Sequence, residues 1–535
     1  MPASLASRLR ANSGALRSTS QDTVGVDFGD WAPDLPDFAN PGAIVCNNVL
    51  PAANSYLPAR DLVDVSLNAL ESTCLGAVTA RDASNNVYVY AATATKLYEL
   101  LDNTFNDESK AGGYNTATDD VWEFAVWDRE QKVIATNFTD PVQAIDIGKG
   151  ASVDFADLIT STQKPKAKHV GVVRNFLVLG HTEDATDGVK TQRVWWSAIG
   201  NEENFDPAAA TQSDFSDLDT GGWVQKIVGG AEYGVIFQES TIRRMEYEGS
   251  PIIFDLPAVD RRRGTPIPNS VVAQGRLIYY ISEEGFFVFN GSSSEPIGVN
   301  RVDRTFWAQF DLADRKKVSA SIDVLNKLVC WAFPANGGDA NGNPNKIFCY
   351  KWDTGRWSEI DIDLDWIFQS QNQGYTLEGL DAVSTNIDTL EPSLDSDVWK
   401  GGKIYSGAFT TAHKLGSFDG ATLQATLDTR EQQFTQGRAS YIDSVRALVQ
   451  VEPSSARSAG NLGIQIAVAG RDSLEDSVVF DAPVLINAEG LADADNQARY
   501  QRFRTIIPAG AQWRHAQGLA VNKSARGRYN GASVA

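Results

Sequence analysis

Residues 269–291 read NSVVAQGRLIYYISEEGFFVFNG. Two polar turns, AQGR and SEEG, separate three apolar runs rich in β-branched and aromatic residues. Runs of this kind, bounded by turn formers, read as short strands joined in hairpins. The same unit, a strand, a tight polar turn and an aromatic-rich second strand, recurs along the chain. It is found at 76–92 (GAVTARDASNNVYVYAA), 122–136 (WEFAVWDREQKVIAT), 170–180 (VGVVRNFLVLG), 227–247 (IVGGAEYGVIFQESTIRRMEY) and 318–334 (VSASIDVLNKLVCWAFP). One turn residue from each, Asn85, Glu130, Asn175, Glu232, Gly275 and Asn326, gives successive gaps of 45, 45, 57, 43 and 51. A four-stranded propeller blade takes about 40–50 residues and cannot bury both of its faces alone, so such units pack around an axis. The spacing predicts a mainly β fold with a β-propeller-like central domain over 71–415.

The repeat fades beyond residue 415. Residues 421–450 read as two long strands, and 461–471 and 499–510 add others, which predicts a β-sandwich-like C-terminal domain over 416–535. Helix is expected only at 61–72 (DLVDVSLNALES) and 303–317 (DRTFWAQFDLADRKK). Residues 350–357, YKWDTGRW, place Asp353, Gly355 and Trp357 on a hairpin, either a kelch-like or Asp-box-like turn or a generic one. Near the start, residues 29–42 read GDWAPDLPDFANPG. Pro fixes φ and Gly and Asn punctuate, so 21–70 is expected to be an extended, Pro-rich segment lying along the chain's own propeller or a neighbouring subunit. Trp31, Leu35, Phe38 and Val49 are its apolar anchors. Residues 1–20, with Arg8, Arg10 and Arg17, read as a flexible basic arm.

A chain of 535 residues is too long for one simple core, and 42% apolar with 21% charged residues are ordinary globular values. No run of 18 apolar residues exists, so no membrane-spanning helix is expected, and the first twenty residues lack the apolar stretch of a secretory signal. Cys46, Cys74, Cys330 and Cys349 show no CxxC spacing, which argues against zinc and suits a reducing cytoplasm. Cys330 and Cys349 either face each other on neighbouring strands or are simply small buried apolar residues. Net charge is −21, yet from Tyr500 onward Arg502, Arg504, Arg514, Lys523, Arg526 and Arg528 meet no Asp or Glu. An acidic body is a poor nucleic-acid binder.

Catalytic patterns are weak. HExxH, GxSxG and GxGxxG are missing, and Gly148-Lys149-Gly150 lacks both the upstream glycine and the following Ser or Thr of a phosphate loop. His169, His181, His413 and His515 stand beside no nucleophile motif. DANGNPN (339–345) alternates oxygen-bearing residues as a calcium loop does, but Tyr350 occupies the twelfth position, so an Asn-Gly turn is the simpler reading. The abundant carboxylates include no pair that stands out as a glycosidase site. Arg261, Arg262 and Arg263 form the strongest basic cluster, a grip for phosphate or an acidic partner, or a solvated loop. No catalytic residue, metal or cofactor is expected.

The pattern W-x-PD-x-P-x-x-x-NPG from Trp31, followed by NNV-x-P and LPARDL, resembles the amino-terminal segment of the tail nozzle (hub) proteins of short-tailed bacteriophages. VWWSAIGNEENFDP (194–207), residues 227–249 and 269–291, GRASYIDSVRALVQ and RYQRFRTIIPAG resemble later segments of that family in the same order. The resemblance implies a homo-hexameric ring of propeller proteins beneath the adaptor and portal, assembled in the host cytoplasm and ending in the virion tail. Such a ring retains packaged double-stranded DNA, conducts it during ejection without sequence-specific binding, and offers its outside to tail fibres or spikes. An acidic channel wall would repel phosphate within a Debye length of about 8 Å, whereas a basic one would stall the genome. Trp31, Pro33, Asp34, Pro36 and Arg261–Arg263 are the expected partner contacts, with the basic stretch after Tyr500 facing an acidic partner or the outside. The alternatives are a propeller enzyme acting on glycans and a lectin-like adhesion module.

Overall fold

The computed structural model describes residues 22–38, 40–118, 120–149, 154–371, 404–451 and 463–524. The basic arm at 1–20, the spacer at 372–400, Gly150, Arg526 and Arg528 lie outside them. Within the described residues the chain is mainly β.

Each apolar hairpin of the sequence opens an antiparallel unit of four strands, or five in the fourth, where Ala258–Asp260 also pairs with Ile242–Tyr247. Gly76–Arg81 to Thr104–Asp107 form the first unit, Glu123–Trp127 to Ala156–Asp157 the second, and Lys166–Val173 to Asp214–Asp217 the third. Val224–Val228 to Phe254–Asp255 form the fourth, Val272–Gln274 to Ser294–Pro296 the fifth and Ser319–Asp323 to Arg356–Asp361 the sixth. The seventh comprises Trp366–Gln371, Ile404–Phe409 and Leu415–Ser417, and its outer strand, Val63–Asp64, comes from far upstream. The turns use residues that tolerate φ > 0, such as Asn85 (66°) and Gly275 (60°).

Packing runs between units, face to face. Tyr90, Trp122 and Phe155 fill the space between the first and second, and Trp127, Trp195 and Phe205 that between the second and third. Phe176, Trp196 and Phe254 follow, then Phe237, Tyr280 and Phe289. Cys330, Ile347 and Ile367 lie between the sixth and seventh units. Trp366, Phe368 and Phe409 of the seventh then meet Tyr98 and Phe105 of the first. The first strands follow the same sequence of contacts, except that Val224–Val228 of the fourth unit meets the 3-10 helix Pro268–Ser270 ahead of the fifth, and the series ends with Trp366–Gln371 against Gly76–Arg81.

A second body is continuous with the sixth unit. Val45–Asn47 pairs in parallel with it at Glu359 and antiparallel with Ala425–Asp428, extending it into a nine-stranded sheet that ends at Val484–Leu485. A six-stranded sheet built on Ser440–Val451 and Trp513–Ser524 also takes in Asp22–Asp27, Val49–Pro51 and Tyr56–Pro58. Val26, Tyr56, Val445 and Val521 of that sheet share one apolar cluster with Leu427, Ile466 and Phe503 of the other, and the cluster runs on into Trp331 and Trp357.

The early segment contributes strands to three sheets of its own chain. The NPG turn explains itself: a Cβ on Gly42 would sit 1.8 Å from the Asp30 carbonyl oxygen, whose bond from Ala43 N (2.7 Å) closes the loop. Arg356, buried, fastens this loop down. It pairs with Asp30 (2.9 Å) and donates to the carbonyls of Gly29 (2.6 Å), Ala52 (2.8 Å) and Ser55 (3.1 Å). Residues 61–72 are not helical, because pairing of Val63–Asp64 with Leu415–Ser417 overrides local propensity. Residues 303–317 divide into an α-helix, Asp303–Gln309, and a 3-10 helix, Leu312–Lys317.

Replacing Arg356 with Met leaves the Ala52 carbonyl without its donor, whereas Asp30 keeps Arg301 (3.0 Å), the Gly29 carbonyl keeps the Tyr56 hydroxyl (2.9 Å) and the Ser55 carbonyl keeps Ala52 N (2.9 Å). A buried polar group left unmatched costs about 1–3 kcal/mol. We expect a loss of that size in urea unfolding; a loss below about 1 kcal/mol contradicts the role given to this residue.

Candidate functional site: surfaces and buried clusters

Trp31 was expected at a partner interface and is instead 1% exposed. Its ring meets Phe348 edge-on at 5.2 Å, and its Nε1 donates to the Ile44 carbonyl at 3.1 Å. Asp34 is engaged on the helix Asp303–Gln309, accepting from Arg304 N (2.8 Å), Thr305 N (2.9 Å) and Thr305 Oγ1 (2.7 Å). Pro33 is half-buried, while Pro36 is exposed and close in sequence to the exposed Phe38. The Trp-Pro-Asp pattern is therefore an internal clasp; only its far end reaches solvent.

Arg261 and Arg262 are exposed just beyond the strand Ala258–Asp260. Arg263 turns inward, donating to the Ser294 carbonyl (2.6 Å) and lying over Phe287. The triplet belongs to the fourth and fifth units, and the clasp belongs to the sixth unit and the second body.

The basic stretch after Tyr500 is largely spent inside the chain, contrary to expectation. Arg504 forms two bonds of 2.8 Å with buried Asp428, Arg502 pairs with Asp37 (3.5 Å) and Asp428 (3.6 Å), and Lys523 reaches the Phe434 carbonyl. Spatial neighbours neutralise a segment that carries no acid of its own. The sequence reading missed an acidic counterpart. Residues 472–498 carry seven Asp or Glu and no Lys or Arg, and they surround exposed Leu474, Val479, Val484 and Leu485 at the end of the nine-stranded sheet.

An opening of about 620 Å³ lies where the sixth and seventh units meet the second body. Leu328, Ile360, Phe418 and Trp513 line it, with Arg60 and Asp419 among its polar residues. Cys330 and Cys349 also line it, directly paired across two strands with sulfurs 3.4 Å apart. The adjoining Cys349 thiol and burial push the Cys330 thiol up, which makes it a poor nucleophile. His413 Nδ1 meets buried Asp365 at 2.5 Å, and His515 Nδ1 meets Ser55 Oγ at 2.9 Å. Ser55 is buried and presents no open face to a substrate. DANGNPN is a turn in which Asp339 accepts from Asn341 N and Asn343 N (both 2.8 Å), and no group of three potential metal ligands gathers among the described residues. No helix among them is long and apolar enough to cross a membrane.

In the first unit, Glu99 and Glu108 lie buried on one face of adjacent strands. Tyr90 donates to Glu99 (2.6 Å), whereas both carboxyl oxygens of Glu108 lack a partner. Burial, then the charge of Glu99, raises the Glu108 carboxyl from its ordinary 4.5 to about 7.

No protein-family model matches the chain, and no curated protein matches it. Among solved structures it is similar to U3-55K, with 8% identity and a TM-score of 0.37, covering 58% of this chain and 89% of that one. A likeness at that level carries no argument about function.

Because unfolded Glu108 releases its proton near 4.5 and folded Glu108 near 7, unfolding sheds a proton in between, and stability contributed by this group falls as pH rises across that window. Glu108→Gln is expected to raise the urea midpoint at about pH 8 and to match the parent at about pH 4. An unchanged midpoint at both values refutes the assignment.

Proposed function

We propose that the chain is a passive structural component of a short-tailed phage tail: a nozzle subunit, six copies to a ring, docked on an adaptor and conducting DNA. On this reading the seven units are blades of one propeller and the second body is a sandwich. Contacts between most successive first strands, the apolar clusters between successive units and the late closure by Val63–Asp64 support the propeller. A single apolar cluster shared by two sheets supports the sandwich.

The observation that carries the functional reading is the order of the family-like segments along the chain. The Trp-Pro-Asp clasp, the 194–207 stretch, the fourth and fifth units and the strands Ser440–Val451 and Tyr500–Ile507 follow one another as they do in nozzle proteins. The net charge of −21 favours a wall that DNA passes without adhering. Exposed Pro36, Arg261 and Arg262 remain contact candidates for an adaptor or a neighbouring copy, and the acidic rim at 472–498 is a candidate for the passage or for a basic partner. Assembly in the bacterial cytoplasm and residence in the virion follow from the same reading.

Purified protein mixed with its adaptor should form six-fold rings with a central opening in negative-stain images, and it should not retard duplex DNA at physiological salt. A chain that stays monomeric with the adaptor, a channel lined mainly by Lys and Arg, or release of reducing sugar from host polysaccharide overturns the reading. The last outcome would favour a glycan-degrading enzyme.

A further inference from the structure

The chain has four thiols, and two of them meet. Cys330 and Cys349 stand directly opposite each other on Leu328–Phe333 and Lys346–Lys351, the middle strands of the sixth unit, with sulfurs 3.4 Å apart. Both lie on the face that carries Leu328 and Ile347, and both line the opening of about 620 Å³. Cys330 is 7% exposed there. Cys46 and Cys74 sit in two other apolar clusters and line no part of that opening. The Cys349 thiol and burial push Cys330 up, and burial pushes Cys46 and Cys74 up. Intrinsic acidity therefore does not single out the pair; proximity does.

The backbone already suits a covalent link. Directly opposed residues of an antiparallel pair have Cα atoms about 4.5–5.5 Å apart, inside the span of about 4.4–6.8 Å that a disulfide bridges. Bond formation draws the sulfurs from 3.4 Å to about 2.05 Å, a change within reach of side-chain rotation. The opening beside them is wide enough to admit a small oxidant.

We infer that Cys330 and Cys349 are an oxidative modification site, a dithiol that hydrogen peroxide converts to an intrachain disulfide in the folded protein. The Cys330 sulfur forms a bond to one peroxide oxygen as the O–O bond breaks, and the other oxygen leaves as water with the thiol proton. Cys349 then attacks the sulfenic sulfur: the S–S bond forms, the S–O bond breaks, and a second water leaves with the Cys349 proton. Each thiol gives up one electron and the peroxide takes up two. The raised thiol makes the first step slow, and a resolving thiol at 3.4 Å makes the second fast. The bond closes a loop within the sixth unit, whose sheet continues into the second body, and so restricts the unfolded chain. A reducing cytoplasm keeps the pair as thiols, and the bond belongs to a chain that has left it. The chemistry holds whether or not the chain is a nozzle subunit.

The test is treatment of the reduced, folded full-length protein with hydrogen peroxide, then alkylation in denaturant and tryptic peptide mapping. Cleavage after Lys327, Lys346 and Lys351 puts the two cysteines on separate peptides, 328–346 and 347–351. These should be recovered joined, two hydrogens lighter than their sum, with Cys46 and Cys74 still alkylated. Dithiothreitol should separate them, and the joined protein should have a higher urea midpoint than the reduced one. In Cys349→Ala, which lacks the resolving thiol, dimedone should label Cys330 faster than Cys46 or Cys74. Survival of all four thiols, consumption or labelling of Cys46 or Cys74 as fast as Cys330, or a joined protein whose midpoint is no higher overturns the inference.

Discussion

A four-stranded sheet that is apolar on both faces cannot stand alone in water, and every unit of this chain after residue 75 is such a sheet. Tyr90 and Val89 are adjacent on one strand, yet both are buried, one against the second unit and the other against the seventh. Trp195 and Trp196 divide in the same way between the second and fourth units. Each large side chain fully buried in this manner contributes about 1.5–3 kcal/mol. The requirement is met only if each unit has two neighbours, and the seventh finds its second neighbour in the first. That arrangement brings most first strands together and joins Glu123, His169 and Lys226 of three units through one carboxylate.

The second body solves a different problem. The sixth unit would present an outer edge with unpaired backbone groups, an invitation to aggregate. Val45–Asn47 covers it, and the sheet continues through four more strands. The clasp at 29–43 and Arg356 hold this joint, where Trp331, Trp357 and Phe348 pack under Trp31 and Phe286. The two bodies therefore share one core.

Charge is distributed by pairing in space. Asp428 is buried because Arg504 and Arg502 meet it, and Arg193 is buried because Asp184, Asp187 and Asp217 surround it. Bases consumed in this way leave the acids at 472–495 uncompensated at the surface.

Much of the fold was legible in the sequence. All six hairpins were visible because apolar alternation and turn residues are local signals, and each proved to open a unit. YKWDTGRW is a tight hairpin with Trp357 in the core, and Cys330 faces Cys349 because equal offsets from the turn put them in register. The seventh unit escaped notice because residues 372–403 interrupt its hairpin and its last strand lies more than three hundred residues upstream. Trp31 and Asp34 were misread as contacts for the same reason: a Pro-rich segment looks alike in sequence whether it docks on its own core or on another chain. Alternation and turn chemistry, which act over a few residues, determined the strands that open the first six units, and composition determined the acidic balance. Which edges close and which charges meet depended on contacts between distant residues, and only the tertiary structure decided them.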